Sequence, residues 1–294
     1  MSTGLPTAVV CDTTGYLPAE LISELRVSQV SLYVSTDGEM VPETEISDYG
    51  EFYERLRASD APATTSQPSI GDFVAAYEPL LEEGKEIVSV HLSAGISGTV
   101  EAAGQAKERL TAEGKGGERI RVCDTRSAAG GMGMIVLAAA RAAREGLDGA
   151  AVLARAAEAR ENLKIWFAID TLEYLKRGGR IGGAAAFVGS ALQIKPILSF
   201  ESEITPVERV RTRARSLERL RDYARQRHES GADGWVVQHI QTPDAAAALV
   251  ADAREIFGRE PLFVSEVGPV LGAHAGPGMI GIGSTTLKSL GMAD

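Results

Sequence analysis

Ser93, Ser97 and Thr99 sit close together in His91-Leu92-Ser93-Ala94-Gly95-Ile96-Ser97-Gly98-Thr99. Hydroxyls at that spacing, between a short apolar run and a helical one, can grip an oxyanion such as a carboxylate or a phosphate. The geometry expected there adds free backbone N–H groups and the positive end of a helix dipole. The competing reading is local: Ser97 caps the helix and Gly95 and Gly98 only turn the chain. A single imidazole, His274, stands in Gly272-Ala273-His274-Ala275-Gly276-Pro277-Gly278, which reads as a glycine-rich loop where backbone can approach a ligand. Arg180, in Gly178-Gly179-Arg180-Ile181-Gly182-Gly183, offers a planar fork for a phosphate or an acidic surface. Arg177 and Lys176 fall in the last turn of a short helix and suit its dipole. Asp12 and Asp124 end apolar runs and read as caps for neighbouring loops, not as catalytic acids. The four histidines and two cysteines show no His-x-x-x-His or paired-cysteine spacing, so no metal site is expected.

These residues need elements to position them. Thr7–Cys11, Val27–Val34, Glu86–Val90 and Ile120–Cys123 read as strands. Helices are expected over 18–25, 47–56, 70–81, 100–110, 129–144 and 149–161, with Ser69 as an N-cap. Residues 61–69, with Pro62 and Pro68, read as irregular. Alternating strand and helix argue a parallel sheet covered on both faces, with ligands beyond the carboxyl ends of the strands. Asp12, Ser93 and Asp124 fall at such ends. A second unit begins near Lys164. It has strands at 165–169, 194–200, 203–207, 235–240, 262–267 and 279–282, and helices at 171–177, 217–227 and 245–256. The fold class expected is therefore α/β in two domains: residues 1–163, Rossmann-like with a parallel sheet, and residues 164–294, with a mixed sheet.

Composition narrows the function. With 294 residues, 44% of them hydrophobic, the chain can build two cores. A formal net charge of −10 repels nucleic acid and anionic membrane, so an anionic ligand must be drawn by local groups. Only 5% of residues are aromatic, which disfavours a base-stacking surface. Cys11 and Cys123 read as buried free thiols of a reducing compartment. Met1–Pro6 has neither the basic nor the apolar region of a signal peptide, and no run is long enough to span a bilayer. A cytoplasmic location is expected.

An ordered set of motifs carries a resemblance. It comprises Asp12-Thr13, Thr65-Ser66-Gln67-Pro68-Ser69, Ser93 with Ser97-Gly98-Thr99, Asp124-Thr125, Thr171-Leu172-Glu173-Tyr174-Leu175-Lys176-Arg177-Gly178-Gly179-Arg180-Ile181, Lys195-Pro196-Ile197 and His274-Ala275-Gly276-Pro277-Gly278. Across nearly its whole length the chain resembles the DegV family, fatty-acid-binding proteins that include the binding subunit of bacterial fatty acid kinase. Two positions depart from the family pattern. Ala94 stands where a second serine is usual, and Ala275 where threonine is usual; each removes a side-chain hydrogen bond.

The resemblance implies a long-chain fatty acid bound between two α/β domains. Its carboxylate would meet Thr65, Ser93, Ser97, Gly98 and Thr99, with Arg180 and His274 nearby. Its tail would enter the C-terminal domain, where Ala185, Gly189, Leu192, Ile194, Ile197 and Leu198 are candidate walls. The partner implied is the ATP-binding subunit of a fatty acid kinase, which would phosphorylate the bound carboxylate to an acyl phosphate for phospholipid synthesis. The chain itself would be a carrier with no catalytic residue and no cofactor. It would not span the membrane, and membrane contact would be limited to transient lipid exchange.

Energetics divide the labour between head and tail. About 14 buried methylenes at about 0.8 kcal/mol each offer on the order of 11 kcal/mol before association costs. Each head-group hydrogen bond nets about 1–3 kcal/mol. Affinity should come from the tail and orientation from the polar groups. The rival reading is a lipid ester or acyl hydrolase, with Ser93 or Ser97 as nucleophile, His274 as base and Asp12 as orienter. It lacks a Gly-x-Ser-x-Gly elbow. A dinucleotide site at Gly130, Gly131 and Gly133 lacks the Gly-x-Gly-x-x-Gly spacing.

Overall fold

Short apolar runs alternating with amphipathic stretches give α/β structure throughout the computed structural model, which describes residues 5–36, 38–58, 63–188 and 194–292. Among these the strands are β1 (Thr7–Asp12), β2 (Ser28–Val30), β3 (Tyr33–Thr36), β4 (Glu39–Pro42), β5 (Thr65–Ser66), β6 (Glu86–His91), β7 (Ile120–Asp124), β8 (Lys164–Ala168), β9 (Lys195–Glu201), β10 (Glu203–Val210), β11 (Gly234–His239), β12 (Phe263–Glu266) and β13 (Ile280–Thr285). The helices are α1 (Ala19–Leu25), α2 (Tyr49–Ala58), α3 (Ile70–Glu82), α4 (Thr99–Ala112), α5 (Ala129–Arg144), α6 (Gly149–Asn162), α7 (Glu173–Arg177), α8 (Arg213–Glu229), α9 (Pro243–Phe257) and α10 (Pro269–Ala275).

The chain forms two compact units, and the division is discontinuous. One unit takes Met1–Leu32, Ser66–Asn162 and Leu287–Asp294; the other takes Tyr33–Thr65 and Leu163–Thr286. The single break expected after residue 163 is therefore corrected. The apolar run Val27–Val34 is cut at Ser31-Leu32, so β2 joins the first unit's sheet while β3 starts a separate sheet. At the other end Leu287 and Leu290 are buried, and the short turn of helix at Lys288–Leu290 packs on α5 and α6.

The first unit is built on a four-stranded sheet in the order β2-β1-β6-β7, all parallel. Its central strand β6 is buried from Ile87 to His91, as expected of a parallel strand covered on both faces. On one face Phe73, Tyr77 and Leu81 of α3 and Ala102, Ala103, Ala106 and Leu110 of α4 pack on Val10, Ile87 and Ile120. On the other lie α5 and α6. Ser69 caps α3 reciprocally with Asp72: Asp72 N–H donates to Ser69 Oγ at 3.1 Å and Ser69 N–H donates to Asp72 Oδ2 at 2.8 Å. Strand order reverses at β1, so its carboxyl end and that of β6 flank the sheet's switch point.

The second unit holds a six-stranded mixed sheet, β10-β9-β8-β13-β11-β12. Only β11 and β12 are parallel neighbours. Residues Trp166, Ala168, Ile197, Val237, Ile280 and Ile282 share the face packed on α8 and α9, around Trp235, Leu220 and Phe257. The same unit contains a three-stranded sheet, β4-β3-β5. Thr65-Ser66 is thus a short strand inside the stretch expected to be irregular, tied by Ser35 N–H to Thr64 O at 2.8 Å. Pro62 lies outside the described residues.

Candidate functional site

In the second unit, Thr65 Oγ1 and His274 Nε2 are 2.8 Å apart. Two elements far apart in sequence make this pair: β5 carries the threonine and the last turn of α10 carries the imidazole. The expected loop around His274 is in fact a helix. Pro269 opens it, and Gly276 at φ +76° ends it by returning its N–H to Gly272 O at 2.8 Å. The glycines that suggested a loop serve close packing instead. A Cβ at Gly272 would lie 1.9 Å from Tyr53 OH, and one at Gly276 would lie 2.1 Å from the Tyr174 ring.

His274 is 8% exposed, and its Nδ1 has no hydrogen-bond partner among the described residues. Nδ1 faces Gly178, where a Cβ would stand only 2.1 Å away. Burial first, and the Arg180 charge second, push the imidazole pKa from its ordinary 6.5 down to about 4. The ring is neutral at physiological pH. With nothing at Nδ1 to receive a proton, Nε2–H donating to Thr65 Oγ1 is the tautomer the surroundings favour. The threonine O–H is then left to donate elsewhere, as an acceptor-only ligand oxygen requires. Arg180 is exposed and donates from Nη1 to Gly178 O at 2.8 Å, while its own N–H closes the end of α7 on Leu175 O at 3.0 Å. Lys195 of the Lys-Pro-Ile motif pairs with Asp170 at 2.9 Å, as does Arg213 at 2.7 Å.

The serine loop belongs to the first unit, and its amides are largely used within that unit. Ser93 N–H donates to Ser127 O at 2.8 Å, and Ile96 and Ser97 N–H both donate to Ser93 O at 3.2 Å. Gly95 N–H donates to Ser93 Oγ at 3.1 Å, and Ala94 N–H to Asp124 Oδ1 at 3.3 Å. The expected cluster of free N–H groups is therefore corrected over Ser93 to Ser97, where each backbone N–H has an acceptor within the unit. Ser93 and Thr99 are fully buried, whereas Ser97 and Gly98 are half-buried. Ser97 Oγ lies 2.8 Å from Thr99 Oγ1, and Gly98 is the N-cap of α4. A Cβ at Gly98 would meet Gln67 Oε1 at 2.3 Å, so the loop after Thr65 fits against it.

Beneath the serine loop runs a chain of buried polar groups. Tyr77 OH is 2.7 Å from Ser89 Oγ, Ser89 Oγ is 2.6 Å from His91 Nε2, and His91 Nδ1 is 3.1 Å from Asp12 Oδ2. Asp12 also accepts from Leu92 N–H at 3.0 Å and from Thr14 N–H at 3.0 Å and Oγ1 at 2.5 Å. It is the cap expected, joining the ends of β1 and β6. The order serine, imidazole, carboxylate has the look of a hydrolytic triad. All four side chains are fully enclosed, however, so no substrate carbonyl reaches the hydroxyl. Asp12 is committed to His91, not to His274, which removes the orienting group that a Ser93/His274 hydrolase would need.

The expected tail wall is only partly placed. Gly189 and Leu192 lie outside the described residues. Ala185 is exposed on a 3₁₀ turn over Gly182–Phe187, and Ile194 is half-buried. Ile197 packs into the core under α8 and α9, so it faces away from its neighbour Leu198, which is buried beside Phe167 on the opposite face. One groove could not hold both. Among the described residues no group of three or more His, Cys, Asp or Glu is arranged to hold a metal ion, and no helix is long and apolar enough to cross a membrane.

The sequence matches the family model of the uncharacterised DegV proteins over residues 6–286. It is 38% identical over 281 residues to a DegV domain-containing protein of Streptomyces coelicolor, covering 94% of this chain and 96% of that one. Among solved structures, a fatty-acid-binding DegV family protein of Thermus thermophilus superposes with a TM-score of 0.86 at 34% identity, covering 96% of this chain and all of that one (100%). DegV of Bacillus subtilis, described as a fatty acid binding protein, superposes with a TM-score of 0.85 at 30% identity, with the same coverage of 96% and 100%.

Proposed function

The chain belongs to the DegV family, and from that membership we propose that it binds a long-chain fatty acid and presents the carboxylate to a fatty acid kinase. The observation that carries the reading is the Thr65–His274 pair: a buried imidazole, neutral and at 2.8 Å from a threonine hydroxyl. A carboxylate removed from water needs donors at its oxygens, and the freed Thr65 O–H is one. Two relatives of similar length and fold are described as fatty-acid-binding, which supports the same ligand class here. Arg180, exposed at the end of α7, is placed in this proposal at the mouth, where a phosphoryl group or an acidic partner surface would arrive. Leu198, Ile194 and Ala185 are assigned to the tail. The chain is a carrier in this scheme, and ATP belongs to the kinase subunit. Membrane contact in this scheme is transient and serves lipid exchange, and the protein works in the cytoplasm.

Organic extraction of protein purified from a bacterial host, followed by mass spectrometry, tests the ligand class. Long-chain fatty acid is expected at near-stoichiometric level, and folded protein that yields none refutes the proposal. Incubating loaded protein with ATP and a fatty acid kinase ATP-binding subunit should give acyl phosphate only when both proteins are present. Acyl phosphate formed by this chain alone overturns the carrier role.

A further inference from the structure

Helix α10 has only seven residues, too few to hold its own position, yet it carries His274. Segment 33–65 grips it at four points. At the start, Glu43 Oε1 accepts Val270 N–H at 2.8 Å. Just before the first turn, Tyr53 OH shares its proton between Val267 O at 2.6 Å and Gly268 O at 2.9 Å. In the middle, the same tyrosine fills the space that a side chain at Gly272 would occupy. At the end, Thr65 meets His274. Tyr53 is fully buried and Glu43 is 2% exposed.

A carboxylate at that depth is costly, and an apolar residue would fill the volume more cheaply. What Glu43 adds is direction: its carboxyl oxygen accepts from one backbone N–H in the first turn of the helix. Tyr53 adds a rigid ring whose hydroxyl fixes two successive carbonyls. The tolerance at the far end is small, since a hydrogen bond at 2.8 Å is lost on a slip of about 0.7 Å.

We infer that Glu43 and Tyr53 are positioning residues for His274, setting the height of the imidazole against Thr65 through the register of α10. The inference rests on the Thr65–His274 pair being the carboxylate-binding group, and the test separates the two. Oleate affinity of delipidated protein is measured by calorimetry for Tyr53→Phe, Glu43→Ala and Glu43→Gln, each in the wild-type and His274→Ala backgrounds. Tyr53→Phe and Glu43→Ala should each weaken oleate binding about three- to tenfold in the wild type and less than about twofold in His274→Ala. Glu43→Gln keeps an acceptor for Val270 N–H and should restore most of the affinity. Equal losses in both backgrounds, or no loss in the wild type, overturn the inference.

The imidazole resonances of His274 report the clamp without ligand and without Glu43→Ala, should that variant fail to fold. Tyr53→Phe should broaden or shift the Nε2–H signal, and a signal unchanged from wild type overturns the inference. If His274→Ala and Thr65→Ala bind oleate as tightly as the wild type, the functional reading fails instead, and the resonance still decides the clamp.

Discussion

His274 is a histidine that stays uncharged where most would begin to titrate, and that has a thermodynamic signature. Its folded pKa of about 4 lies below the ordinary 6.5. The unfolded chain therefore takes up the proton first as pH falls, so the stabilising contribution is complete above about 6.5 and is lost progressively toward 4. Between about pH 7.5 and 4.5 the wild type should lose on the order of 2–3 kcal/mol more stability than His274→Gln. Urea unfolding of both at the two pH values reads the difference; parallel losses would show that the ring is not desolvated. At this scale the sequence was informative about residue type and poor about surroundings. It singled out Thr65 and His274 but could not supply Gly178 at Nδ1 or Glu43 and Tyr53 along α10, because no periodic pattern joins residues so far apart in the chain.

Strands and helices were legible wherever one face is apolar and a cap marks the start, as for α3 with Ser69 and Asp72. The failure was α10. Its glycines lower helix propensity, and what overrides propensity is packing against Tyr53 and Tyr174, which only the tertiary fold provides. The Asp12 junction makes a prediction about β1 and β6. Both carboxylate oxygens accept from N–H groups: Oδ1 from Thr14, Oδ2 from Leu92 and His91. In Asp12→Asn an amide NH₂ must face one of those donors with no room to turn away. The expected cost is about 2–4 kcal/mol by urea unfolding at neutral pH. A change below about 0.5 kcal/mol would show that the junction is not what holds the serine loop.

The α/β class and the mixed second sheet could be read from alternation and from the hairpin-like run over 194–207. The partition of the chain could not, because composition does not change at Leu32 or at Thr65 and only contacts reveal which core each piece joins. A fragment cut at the expected boundary should therefore behave poorly. Residues 164–294 alone lack Glu43, Tyr53 and Thr65, and amide exchange over 269–275 should be fast there while β11 and β13 stay protected. Protection of α10 in that fragment equal to the full chain would show that segment 33–65 is dispensable to it.

The small turn at Lys288–Leu290 gives the polypeptide an unusual schedule during synthesis. The first unit cannot close its core until Leu290, translated long after the rest of that unit, settles on α5 and α6. The second waits with a piece made long before its own strands exist. Neither half can finish early, so a stop codon placed just before Leu287 should injure the part of the protein that was translated first.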